Sequence, residues 1–220
     1  SLLPSVPGHL GHLVVAADHR PQVDEYAVGG DWFDAIELVD GRVAVVVGDM
    51  AGHGIEGAVA MGSLRATVRA LLRAGVPLGE VGRVANEVAD ADDVTGTVAV
   101  AAVAADGAVE VLTCGHPAVL LRRAGGAVDA VLTANPLLGV DLRHDYVTAA
   151  AALGADDQLV LCTDGVLDGG RTPVDELPGV LAAVAAGLDD DDPSPDELCT
   201  ALLAVAKGED DAAVVVARLR

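Results

Sequence analysis

Four short segments of the chain place carboxylates beside glycine or at the edge of an apolar run. They are residues 29–34 (Gly-Gly-Asp-Trp-Phe-Asp), 48–54 (Gly-Asp-Met-Ala-Gly-His-Gly), 163–165 (Thr-Asp-Gly) and 209–211 (Glu-Asp-Asp). Taken singly, each reads as a turn, because aspartate and glycine after a strand serve turns far more often than ligation. Their placement together says more. The apolar run 43–47 leads into Asp49, the run 159–162 leads into Asp164, and Asp210 precedes the run 212–216. If those runs are neighbouring strands, three carboxylates converge at one end of a sheet. Such a group repels itself and holds raised pKa values unless a cation neutralises it. An all-oxygen donor set suits magnesium or manganese, which prefer carboxylate, carbonyl and water.

The elements that must position these residues are legible from hydropathy. Strands are expected over 13–17, 43–47, 98–103, 109–113, 119–122, 159–162 and 213–216, each a short Val- and Ala-rich run. Asp40-Gly41, Asp106-Gly107 and Gly125-Gly126 separate neighbouring apolar runs, a tight-hairpin signal that points to antiparallel sheet. Helices are expected over 55–74, 78–89, 177–186 and 195–206. The first carries Leu64, Val68, Leu71 and Leu72 on one face. Arg65, Arg69 and Arg73 recur along another, read most simply as a solvated stripe or a seat for an acidic partner. Ser194 or Asp196 can cap the last helix. Hairpins mixed with a few long helices predict an α+β fold in which two antiparallel sheets pack together under helices.

Composition sets the class. With 13 Lys and Arg against 34 Asp and Glu, the formal charge of −21 repels phosphate backbones and anionic lipid, so neither nucleic acid nor a membrane is an expected partner. Aromatic residues make up 2%, too few to stack single-stranded bases, whereas hydrophobic residues make up 52% and supply a core of Ala, Val and Leu. No apolar run approaches the roughly 18 residues of a membrane span. Cys114, Cys162 and Cys199 lie within or beside apolar stretches and read as reduced core residues of a cytoplasmic protein. At 220 residues with no internal linker, one domain is expected over 1–220. Its abrupt Ser1-Leu2-Leu3-Pro4 start suggests excision from a longer multidomain protein.

The motifs taken in order resemble a known family, the bacterial branch of the PPM-type (type 2C) metal-dependent serine/threonine phosphatases, in its sporulation-stage-II and sigma-factor-regulator group. The resemblance rests on Leu2-Leu3-Pro4, the segments 28–34 and 48–54, Cys114-Gly115-His116-Pro117, Pro136-Leu137-Leu138-Gly139-Val140, Thr163-Asp164-Gly165-Val166 and Asp210-Asp211. It implies an α-β-β-α sandwich with two Mn2+ or Mg2+ ions at one end. It also implies that Asp49 bridges both ions, that the Met50 carbonyl binds one, and that Asp164 and Asp210 bind the other. Asp31 reaches them directly or through water. Asp34 is a further candidate, and Asp211 is expected to neighbour the ligands rather than join them. The chemistry implied is attack on a phosphorylated serine or threonine by metal-activated water, with no phosphoenzyme.

Two features depart from the eukaryotic relatives. Glu25 and Tyr26 stand where those carry a phosphate-binding arginine, leaving Arg20 the nearest one. His53, the candidate general acid, follows Asp49 by four residues rather than two. His116 is expected to be a turn residue, and Trp32 and Phe33 to be packing residues. The resemblance further implies an anti-sigma-factor antagonist as the phosphorylated substrate and a role in sigma-factor signalling, while oligomeric state is left open. Three other readings are open: a diguanylate cyclase, which the Gly29-Gly30-Asp31 turn suggests and Trp32-Phe33-Asp34 argues against; an inactive phosphatase fold that works by binding a partner; and an acidic metal-buffering module.

Overall fold

Because the central strands are apolar on both faces, they must be covered on both, and the computed structural model shows how. It describes residues 6, 8–21, 29–52, 54–167, 173–188, 192–206 and 210–220, with the side chains of 54–56 excluded. Among the described residues, eleven strands and four α-helices follow one another as β1 (His9–Leu10), β2 (Leu13–Arg20), β3 (Trp32–Glu37), β4 (Val43–Met50), α1 (Gly54–Arg73), α2 (Leu78–Ala91), β5 (Gly96–Val103), β6 (Ala108–Cys114), β7 (Val119–Arg122), β8 (Val128–Val131), β9 (Ala149–Ala152), β10 (Gln158–Cys162), α3 (Leu177–Ala186), α4 (Pro195–Val205) and β11 (Ala212–Leu219).

They form a six-stranded sheet, β1-β2-β11-β10-β7-β8, and a five-stranded sheet, β3-β4-β5-β6-β9. All strand pairs within both are antiparallel. The alternation in β4 displays the layering. Val43, Val45 and Val47 meet Leu159, Leu161 and Val215 between the sheets, while Ala44, Val46 and Met50 meet Leu64, Val68 and Leu72 of α1. A third core joins the six-stranded sheet to Leu181 of α3 and Leu198 and Leu202 of α4. The result is the α-β-β-α sandwich expected from the sequence. Small cores suit a chain that packs Val and Ala rather than aromatics, and Trp32 and Phe33 are both buried, one on each face of β3.

The three expected hairpins form, as β3–β4, β5–β6 and β7–β8. Ser194 caps α4 in a capping box with Glu197. The arginine stripe of α1 is different from a solvated face. Arg69 ion-pairs with the buried carboxylate of Asp34, and Arg65 Nε lies 3.6 Å from the same group. Asp34 shares a face of β3 with Trp32 and Ile36, and that face is the one α1 covers. Among the described residues, no helix is long and apolar enough to cross a membrane.

Candidate metal centre

The antiparallel registers bring the acidic segments to one end of the sandwich. Gly48 of β4 pairs with Trp32 of β3, so Asp49 lies at the end of one strand beside Asp31 at the start of the other. In the opposite sheet Cys162 pairs with Val214, so Asp164 follows β10 where Asp210 precedes β11. Each sheet therefore contributes two of the expected ligands. Thr163 ties the halves together: its hydroxyl accepts from the Ala213 amide at 2.9 Å and donates to Asp31 Oδ2 at 2.7 Å. The Thr163 amide bonds the Ala213 carbonyl at 3.1 Å, which fixes the rotor that aims at Asp31.

Backbone packing needs glycine at two points here. A Cβ on Gly30 would overlap the Met50 carbonyl oxygen, and one on Gly165 would overlap the Asp211 carbonyl oxygen. The Met50 amide also donates to the Gly30 carbonyl at 3.2 Å, so the segment carrying Asp31 is laced to the end of β4.

The carboxylates feel one another. Burial pushes the Asp31 carboxyl well above its usual range, and the charges of Asp49, Asp211 and Asp164 push it further while the Thr163 hydroxyl opposes them. Asp49 is pushed up to about 6, first by burial and then by Asp164 and Asp210, with a hydrogen bond from Asp31 in partial opposition. Asp210, at the rim, is raised by partial desolvation and by its neighbours Asp164 and Asp211. Among the described residues, no three His, Cys, Asp or Glu side chains are drawn tightly enough together to hold an ion on their own. The donor set nonetheless fits a hard divalent cation: it is all oxygen, mutually repelling, half from each sheet and steadied by a hydroxyl and close glycine contacts.

The family model described as stage II sporulation protein E (SpoIIE) matches residues 39–220. The chain belongs to the SpoIIE family. Among solved structures, this SpoIIE-family chain is similar to the RsbU and RsbW domains of Rv1364c from Mycobacterium tuberculosis, at 26% identity and a TM-score of 0.76 over 94% of this chain and 60% of that one. It is similar to the PP2C phosphatase domain of SpoIIE with a fragment of its regulatory domain from Bacillus subtilis, at 22% identity and a TM-score of 0.77 over 94% of this chain and 63% of that one. It is also similar to the catalytic domain of the serine/threonine phosphatase PstP in complex with two manganese ions, at 18% identity and a TM-score of 0.70 over 94% and 98% of the two chains. The chain thus spans less than two thirds of the length of the first two. The likeness establishes the phosphatase fold for this SpoIIE-family member.

The remaining expected site residues fall in different places. Asp34 does not join the carboxylate group: it faces α1 and is held by Arg69, a structural role that the strand's alternation imposes. Asp211 stays a neighbour, adding its charge to Asp31 and Asp49. His53, Glu25 and Tyr26 lie outside the described residues. Arg20 is turned away from the site, its guanidinium donating to the Ala206 and Leu203 carbonyls at the end of α4. His116 lies in the connection between β6 and β7, as expected of a turn residue, and is buried: it is 3% exposed, its Nδ1 bonds the Pro117 carbonyl, and burial lowers its pKa to about 4.

Sequence reasoning missed Thr163 as the link to Asp31, although a hydroxyl next to Asp164 at a strand end was a signal. It also missed a groove of about 560 Å³ that opens from Asp49, Thr163 and Asp164 along β8 and the start of α3.

Proposed function

We propose that this chain is a metal-dependent protein serine/threonine phosphatase that hydrolyses phosphoserine or phosphothreonine on a protein substrate, an anti-sigma-factor antagonist. The observation that carries the reading is the convergence of Asp31, Asp49, Asp164 and Asp210 from two sheets at one end of the sandwich, beside a groove. Membership of the SpoIIE family supports it, as does the likeness to RsbU, SpoIIE and PstP. The sigma-regulator setting rests on the names of those relatives. With it goes a cytoplasmic site of action and a place for 1–220 as the catalytic domain of a longer protein.

Asp49 and the Met50 carbonyl, with Asp164 and Asp210, would hold two Mn2+ or Mg2+ ions, with Asp31 alongside. When bound, such ions neutralise charge on phosphoryl oxygens and acidify water for in-line attack on phosphorus. The chain's own part is placement. Asp49 and Asp31 shed the proton that their raised pKa values retain, so ion binding releases protons and strengthens with pH. Thr163 holds the Asp31 carboxylate in one orientation. Phosphate recognition would rest on the ions, which invert the negative field of the carboxylates. His53 is retained as a candidate acid on the resemblance alone.

The test is hydrolysis of para-nitrophenyl phosphate and of a phosphoserine peptide with manganese, with magnesium and in excess chelator. Turnover that requires the ion supports the reading. Full activity in chelator refutes the metal dependence, and no turnover by the folded protein in manganese favours a partner-binding module instead.

A further inference from the structure

We propose that Thr97 is a catalytic residue whose hydroxyl donates a hydrogen bond to a phosphoryl oxygen of the substrate beside Asp49. The proposal rests on the phosphatase reading above and deepens it. Asp49 near the end of β4 pairs with Thr97 near the start of β5. Directly opposed residues of an antiparallel pair project to one face of the sheet, with Cα atoms about 4.5–5.5 Å apart. That face is the inner one, because Val47 and Ala99, two residues further along the same strands, belong to the core between the sheets. Both side chains line the groove, and Thr97 is half-buried. The backbone that carries it is pinned: the Ala51 amide donates to the Thr95 carbonyl at 2.9 Å, and the Leu138 amide donates to the Gly96 carbonyl at 2.9 Å.

Phosphoryl oxygens are anionic acceptors and need donors, which ionised carboxylates cannot supply. Among the described lining residues the other side-chain donors are already committed. Thr163 donates to Asp31, Thr133 donates to the Thr113 carbonyl at 2.8 Å, and Asn135 donates to the Thr113 and Val147 carbonyls. His116 is neutral near pH 7, since burial lowers its pKa to about 4, and it spends its one ring proton at Nδ1 on the Pro117 carbonyl. Thr97 is the lining residue left with an uncommitted hydroxyl among those described. A phosphate held at Asp49 comes in on the same face of the sheet as that hydroxyl. The donor stands on a paired strand rather than a loop, so it needs little rearrangement to act.

The experiment substitutes Thr97→Val, which keeps the shape and suits a strand, with Thr97→Ala as a second donor-free variant and Thr97→Ser to restore the donor. Calorimetry measures inorganic phosphate binding to the manganese-loaded proteins, and kcat/KM is measured on para-nitrophenyl phosphate and on a phosphoserine peptide. Loss of one hydrogen bond to a charged group should weaken phosphate binding and lower kcat/KM by about 10–100-fold. Both substrates should suffer alike, because the contact is to the group they share, and Ser should recover most of the loss. Manganese affinity, titrated separately, should be unchanged. Wild-type phosphate affinity and kcat/KM in the donor-free variants overturn the proposal, while turnover by the wild type still upholds the phosphatase reading. A loss confined to the peptide moves the contact away from the phosphoryl group, and a loss of manganese affinity assigns Thr97 to holding Asp49; either result overturns it. No turnover by the folded wild type in manganese, small ester included, overturns both readings.

Discussion

Replacing Asp49 by Asn tests the metal centre at its most charged point. The substitution preserves shape and leaves an oxygen to accept from Asp31, but removes the charge. In the folded chain the Asp49 pKa stands at about 6 against an ordinary 3.8. The folded carboxyl therefore holds its proton more tightly than the unfolded one. Its contribution destabilises the metal-free protein as pH rises from 3.8 through about 6, and stays constant above that. A shift of about two units is worth about 3 kcal/mol at pH 8 and about half that at pH 5. In chelator at pH 8, Asp49→Asn should raise Tm by about 6–12 °C, given about 2–4 °C per kcal/mol for a chain of this size. With manganese at 1,000 times its Kd the order reverses, because an ion so held stabilises the wild type by about 4.1 kcal/mol, more than the charge costs it, and the variant loses at least one ion. Turnover should fall at least about a thousandfold. Calorimetry with and without chelator, titration of manganese and phosphatase rates measure all three. No gain of Tm in chelator, unchanged ion stoichiometry and near-normal turnover would show that Asp49 is a turn residue and that the centre is misassigned.

Thr163→Val removes both the donor to Asp31 and the acceptor for the Ala213 amide. Manganese affinity by calorimetry should fall about 10–100-fold and stability in urea by about 1–3 kcal/mol, with Thr163→Ser restoring both. Arg69→Leu leaves the buried Asp34 carboxylate with the Ala35 amide at 2.9 Å and Arg65 Nε at 3.6 Å, and should cost about 2–3 kcal/mol in urea unfolding. Manganese binding should be retained, and its loss would return Asp34 to the metal centre. The cysteines should be inert: burial pushes Cys162 and Cys199 up to about 12 and raises Cys114 as well. Iodoacetamide on the native protein should leave phosphatase activity unchanged, and rapid labelling with loss of activity would contradict this.

The strands that sequence periodicity captured are those buried on both faces, whose unbroken apolar runs reflect an interior that tertiary packing does not override. The strands it did not capture are of another kind. Trp32–Glu37 carries Asp34 at its middle, so it reads as polar until α1 supplies Arg69. Val128–Val131 and Ala149–Ala152 are half-exposed edge strands, the second made wholly of alanine, which owe their form to the neighbour they pair with. The carboxylates were legible because glycine and a strand end frame each. What joins them was not, since the bond from Thr163 to Asp31 spans two sheets and depends on how those sheets register. The groove was illegible for the same reason, as its walls come from β8 and α3.

The division of the proposed ligands between the sheets has a mechanical side. Hydrophobic contact between two sheets is non-directional and resists sliding only weakly, whereas ligation is broken by displacements of a fraction of an ångström. Ions held by Asp31 and Asp49 on one side and Asp164 and Asp210 on the other would therefore act as a removable cross-link that stiffens the sandwich against shear. By reciprocity, whatever shears one sheet against the other weakens the hold on the ions by the same free energy. A partner that pulls on α1 and α2, or on α3 and α4, would find in this molecule a lever whose far end is the proposed metal centre.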